Sequence, residues 1–307
     1  MSEASFSLQE LREAHQVKIA NVESLIASDG VELAYRRYVP SSPRAIVLFY
    51  HGGGAHSGVG YQHVGFGLQT HYDIAVYTPD IRGHGASGGP RGDAPSPEQV
   101  WRDITTVIQH IRAEFPHLPL FLGGHSSGAA LALNYASQPN HEPVNGYILL
   151  SPQLGSRAQI DRPSLAAPFA TVDIASFIAY ATSGGTTHGH EYAVKFNYPA
   201  ALLASDPGLV AAITVTMSNA LMPAAPQAQF AALDQPFGLW IGSDDELFLP
   251  DKVLAFGDCA QPMPAGSQAA SIPQAKHLSV LVRAHETIGA WMVEVLAQQH
   301  MSLVRHQ

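Results

Sequence analysis

Five short runs of nearly unbroken apolar residues dominate this chain: "AIVLFY" (45–50), "IAVYTPD" (74–80), "PLFLGG" (119–124), "GYILLSP" (146–152) and "FGLWIGSDD" (237–245). Runs this short, apolar at consecutive positions, suit strands covered on both faces. Helical patterns fall between them, over 97–114, 128–137, 251–257 and 279–299. The first of these opens on Ser96-Pro97-Glu98-Gln99, which supplies an N-cap serine, a proline at the first helical position and a glutamine to close the capping box. "VELAYRRY" (31–38) alternates like a half-exposed strand, and "QAASI" (268–272) is a weaker candidate for a last one. Strands alternating with helices predict an α/β fold with a mostly parallel central sheet flanked by helices.

Residues 153–235 break this rhythm. They are rich in Ala, Pro and Ser and offer no convincing strand. The expectation is a helical insertion between two core strands, with the core formed by 1–152 and 236–307. The N-terminal stretch "MSEASFSLQELREAHQVK" reads as a short amphipathic helical extension over 1–20, with Ser7 as N-cap and Glu10 completing a capping box. A chain of 307 residues accommodates one such domain with its insertion.

Composition narrows the function. A formal charge of −9 and the absence of any basic run argue against nucleic-acid binding. Cys259 is the single cysteine, so no internal disulfide forms, which fits a reducing compartment. There is no signal-like apolar stretch at the N-terminus and no run of about 18 apolar residues for a membrane span. A soluble cytoplasmic protein is expected; the oligomeric state is not legible.

The chemistry concentrates around "GGHSSGAALAL" (123–133). Gly124-His125-Ser126-Ser127-Gly128 is a G-x-S-x-G pattern between an apolar strand and a small-residue helix, the context in which a serine is held at the tip of a tight turn with its oxygen exposed. A plain glycine-rich loop is the blander alternative; the strand and helix on either side favour a nucleophile. "FYHGGGAHSG" (49–58) follows another strand, and the backbone N–H groups of Gly53 and Ser127 are the candidate oxyanion donors. His51 precedes the serine and suits a structural hydrogen-bonding role. Chain order on such a scaffold runs serine, acid, histidine. "LWIGSDDELFLP" (239–250) places Asp244 and Asp245 at the end of a strand, where functional groups collect in open sheets. Asp245 is preferred, with Asp244 left to cap the next turn. His277 falls between the last strand and the last helix, in position to act as the base; His285, His300 and His306 lie in the helix or tail.

"YHGGGAHSG", "PDIRGHGASGG", "GGHSSGAALAL", "ALLASDPGLV", "GSDDEL" and "AKHLSVL" occur in the order and spacing of the α/β-hydrolase superfamily. The chain resembles, more narrowly, its monoacylglycerol lipase and lysophospholipase group, also labelled serine aminopeptidase-like, over about residues 25 to 298. The resemblance implies Ser126 as nucleophile, Asp245 as acid, His277 as base, and Gly53 and Ser127 as oxyanion donors. It implies hydrolysis of a small carboxylic ester, monoacylglycerol-like or otherwise of short to medium acyl length, without a cofactor or metal. Two positions depart from the group: Ser127 stands where methionine or glutamine is common, and Ala55 stands where relatives carry glutamate.

In the insertion, Phe169, Phe177, Tyr180, Phe196, Tyr198, Leu202, Leu203 and Met217 are candidates to line an apolar acyl pocket, or else to pack the insertion on the core. His188, His190 and Glu191 lack the spaced partners of a zinc site. The same triad would also serve an amidase, peptidase, thioesterase or acyltransferase. A ligand-binding protein on a silent hydrolase scaffold is the alternative outside enzymes.

Overall fold

The computed structural model describes residues 11, 13, 14, 16–163 and 168–305, so the proposed Ser7–Glu10 capping box lies outside the described residues. The chain runs β1 (Glu23–Ile26), β2 (Glu32–Tyr38), β3 (Ala45–Tyr50), α1 (Tyr61–Tyr72), β4 (Ile74–Pro79), α2 (Pro97–Glu114), β5 (Leu120–His125), α3 (Ser127–Ala136) and β6 (Gly146–Leu150). After a short 3-10 turn come β7 (Ala170–Val172), α4 (Ile174–Thr182), β8 (Tyr192–Phe196), α5 (Ala200–Ser205), β9 (Ala212–Thr214), α6 (Val215–Leu221) and α7 (Pro226–Ala231). The chain closes with β10 (Phe237–Gly242), α8 (Pro250–Leu254), a 3-10 turn, β11 (Gln268–Ile272) and α9 (Val280–Arg305).

Eight strands form one sheet in the order β1-β2-β4-β3-β5-β6-β10-β11. β1 and β2 are antiparallel to each other, and β2 to β4; the remaining neighbours are parallel. Period-two alternation explains the apolar runs. In β3, Ile46, Leu48 and Tyr50 join a core on one face, and Ala45, Val47 and Phe49 join a second core on the other. Val100, Ile104, Val107 and Ile111 of α2 and Leu131 of α3 cover the first face. Val64 and Leu68 of α1 and Leu281, Ala284, Ile288 and Met292 of α9 cover the second. The Ser96 hydroxyl accepts the Gln99 N–H, so α2 begins where its capping residues place it.

Two elements depart from the sequence reading. α1 has no clear helical pattern, because Gly65 and Gly67 interrupt it. A Cβ on Gly65 would lie 2.3 Å from the Tyr38 ring, and one on Gly67 2.2 Å from the His285 ring. Packing demands glycine there, and each costs about 1 kcal/mol of helix propensity. The second departure is the segment 153–235. It is not purely helical: β7, β8 and β9 form a separate three-stranded antiparallel sheet beside the helices α4 to α7. β7 and β9 are three residues each, too short for alternation to show.

The order of the large sheet fixes where a site can form. From β3 the chain moves outward to β4, then returns across β3 to β5. The reversal leaves a crevice beyond the carboxyl ends of β3 and β5, where open α/β sheets bind ligands.

Candidate active site

Ser126 stands at the tip of the turn joining β5 to α3, with φ 55° and ψ −119°. This is a costly backbone conformation for a residue with a side chain, of order 1–3 kcal/mol. Hydrogen bonds hold it in place: its N–H donates to the Leu150 carbonyl at 2.9 Å, and its own carbonyl accepts the Gln153 N–H at 3.2 Å. The flanking glycines answer to backbone. A Cβ on Gly124 would lie 2.5 Å from the Tyr50 carbonyl oxygen, and one on Gly128 2.3 Å from the same atom. β3 and the start of α3 therefore touch without room for a methyl group. Ser127 is the first residue of α3, so its N–H has no intrahelical acceptor, and the helix dipole directs positive potential toward Ser126.

The loop after β3 passes against the serine: a Cβ on Gly52 would lie 3.2 Å from the Ser126 Cβ. His51 is a structural residue here. Its Nδ1 bonds the Gly52 carbonyl at 2.9 Å and its Nε2 accepts the Ile81 N–H at 2.9 Å. Burial pulls its pKa down to about 4, which keeps the ring neutral for both bonds.

The loops after β10 and β11 supply the other two groups. His277 Nδ1 lies 2.8 Å from Asp245 Oδ2, and both side chains are buried. The Asp245 carboxylate also accepts the N–H groups of Leu247 and Phe248, each at 2.9 Å. Burial disfavours both charges, yet His277 and these N–H groups hold the Asp245 pKa below its usual value. Burial likewise opposes charge on His277, but Asp245, with help from Glu246, raises its pKa above 6.5. Glu246 accepts the His277 backbone N–H at 2.8 Å. Asp244 points elsewhere and accepts the Ser243 hydroxyl at 3.0 Å. The ring of Phe248 stands edge-on to the His277 imidazole, with centroids 5.0 Å apart.

Sequence reasoning gave His125 no part, and it passed over Tyr61. The Gly52 N–H donates to the Tyr61 hydroxyl at 2.6 Å, and that hydroxyl lies 3.1 Å from His125 Nδ1. His125 Nε2 lies 2.8 Å from the His277 carbonyl oxygen. Burial lowers the His125 pKa to about 3, so its ring is neutral, accepting from Tyr61 and donating to His277. This chain ties the glycine loop to the histidine loop across the crevice. Only the histidine inside the serine motif could have signalled it.

Ser126, His277, Gly52, Gly53, Tyr61 and His125 line one cavity open to solvent, flanked by Ala55, Val59 and Leu278 and, from the insertion, Phe169, Tyr198 and Leu209. Of the other insertion residues expected there, Phe196 packs behind the glycine loop. Met217 is fully buried where α6 packs on α2 and α3, so it belongs to the core. Phe177 packs against that core and Tyr180 against the Gly185 and Gly189 turn; neither lines the cavity, and nor do Leu202 and Leu203. His188 pairs with Glu191 and His190 with Asp93, so the two histidines face different partners. Arg82 is buried between Asp103 and Asp29, away from the serine. Among the described residues no helix is long and apolar enough to cross a membrane.

Comparison with known proteins gives the chain a family and a fold. Human monoglyceride lipase is 33% identical over 143 residues, 46% of each chain. An uncharacterised abhydrolase domain-containing protein of Dictyostelium discoideum is 40% identical over 135 residues, 43% of this chain and 14% of that one. These matches thus span less than half the length of the curated relatives. A soluble variant of monoglyceride lipase from Saccharomyces cerevisiae superposes with a TM-score of 0.69 at 18% identity, covering 91% of this chain and 97% of that one. A carboxyl esterase from Bacillus coagulans gives 0.68 at 17% identity, covering 91% and 99%. Both share the fold. The family model described as serine aminopeptidase, S33, matches residues 41–280, and the chain belongs to that family of α/β-hydrolases.

Proposed function

We propose that the protein is a serine hydrolase of carboxylic esters, with Ser126 as nucleophile, His277 as general base and Asp245 as the acid that orients it. The observation that carries this reading is the 2.8 Å bond from Asp245 to His277 Nδ1, on an imidazole that lines the same cavity as Ser126. Asp245 fixes the tautomer that leaves Nε2 able to take a proton. Ser126 Oγ adds to the ester carbonyl as its proton passes to Nε2, and the oxygen takes negative charge facing the N–H groups of Gly53 and Ser127. The ester C–O bond breaks as Nε2 returns the proton to the leaving alcohol. Water, deprotonated by the same nitrogen, then releases the acid and restores the serine.

Residues 153–235 act as a cap, a reading supported by Phe169, Tyr198 and Leu209 of that segment, which line the cavity. Human and yeast relatives named monoglyceride lipase, and the mixed apolar and hydroxylic lining, favour a monoacylglycerol-like or other short to medium acyl ester. An aminopeptidase needs a carboxylate for the substrate amine, and among the described residues none lining the cavity carries one. The test is Ser126→Ala against p-nitrophenyl esters of graded chain length, with matched amides and thioesters. Ester turnover should vanish while the circular dichroism spectrum stays unchanged; a variant near wild-type activity ends the assignment.

A further inference from the structure

The glycine loop after β3 carries a candidate oxyanion donor on three successive glycines, the residues least able to hold a fixed backbone. Tyr61 and His51 hold Gly52, and what holds Gly53 and Gly54 includes contacts from the insertion. The Phe196 ring lies 2.9 Å from the position of a Cβ on Gly53 and 2.5 Å from one on Gly54, so it fills the space that side chains would otherwise occupy. The Val210 N–H donates to the Gly54 carbonyl at 2.8 Å. The Tyr198 hydroxyl reaches the Gly53 carbonyl at 3.3 Å, long for an O–H donor and so the weaker restraint. His56, two residues on, pairs with Asp206 at 3.0 Å. Phe196 is itself fixed: its N–H donates to the Ala211 carbonyl at 2.9 Å, and its ring packs on Phe169 and Tyr198 at centroid distances of 5.5 and 6.1 Å.

Phe196 does not line the cavity. It packs against the loop and against Phe169 and Tyr198, so it acts on a reaction through the loop, which would change kcat, or through those two cavity residues, which would change KM. We infer that Phe196, with Tyr198 and Val210 beside it, is a positioning residue that aims the Gly53 N–H, so that the insertion completes the oxyanion hole as well as covering the site. This rests on the reading of Ser126 and Gly53 given above.

The experiment compares Phe196→Ala and Phe196→Leu with wild type on a short p-nitrophenyl ester. kcat is expressed per active site titrated with a fluorophosphonate, so that misfolded protein is not counted. A displaced oxyanion donor should lower kcat about tenfold in Phe196→Ala, with KM changed less than twofold. Phe196→Leu, which keeps much of the bulk, should recover part of the loss. A trifluoromethyl ketone, whose serine adduct places an oxyanion at Gly53, should lose affinity by the same factor as kcat. If Phe196→Ala yields no titratable sites, a roughly threefold fall in Phe196→Leu carries the same meaning. Unchanged kcat in both variants, or a rise in KM alone, overturns the inference. Turnover by Ser126→Ala at the wild-type rate would instead overturn the underlying assignment.

Discussion

The two sides of the crevice are held by different means. At the Ser126 turn, backbone confronts backbone: Gly124 and Gly128 leave no space between β3 and α3 for one carbon atom. At the glycine loop opposite, backbone is restrained by side chains arriving from more than a hundred residues away, the ring of Phe196 and the carboxylate of Asp206 among them. The first constraint forces particular residues at fixed spacing. The second is satisfied by any ring or carboxylate that reaches, from wherever the fold delivers it.

Neighbouring carboxylates sharpen the contrast most strongly. Asp245→Asn should lower kcat about 10⁴-fold, because an amide at that position favours the wrong histidine tautomer. Asp244→Asn, one residue away, should change it less than threefold; steady-state kinetics on one ester decides both. Removing Asp245 also removes the main influence raising the His277 pKa. His277 must be neutral to accept a proton, so wild-type kcat/KM should fall as pH drops through a midpoint above 6.5. In Asp245→Asn, burial is opposed by Glu246 without Asp245 and that midpoint should move down, as a pH–rate profile would reveal.

Stability gives the next scale. Gly128→Ala drives a methyl group into the Tyr50 carbonyl and should cost about 3 kcal/mol or prevent folding, measured by urea unfolding. At the other extreme stands α4, where Ile174 and Ile178 are 66% and 58% exposed. Ile178→Ser there should alter stability by no more than about 0.5 kcal/mol. If the two variants cost the same, the distinction between a rigid turn and a lightly held insertion fails.

The same distinction governs what the sequence disclosed. The strands of the large sheet are buried on both faces, so their apolar runs survive unmixed, and α2 announces its first turn through Ser96, Pro97 and Gln99. The serine turn shows because sterics admit only glycine at Gly124 and Gly128. The strand end offered both Asp244 and Asp245, with Asp245 preferred and the family resemblance pointing the same way; in the structure it is Asp245 that bonds His277. The strands of the insertion were invisible at three to five residues each, and Met217 could not be told from a pocket residue because an apolar side chain suits either place. Tyr61 was hidden for another reason. Its hydroxyl serves His125 and Gly52, and no spacing rule links a helix N-terminus to either.

The most direct test of the account is covalent. The intact protein is treated with a fluorophosphonate, digested, and its peptides are sequenced by mass spectrometry. The account predicts one adduct, on the peptide bearing Ser126, with labelling slowed at least a hundredfold in His277→Ala. No adduct, an adduct on another serine, or equal labelling rates in the two proteins would contradict it.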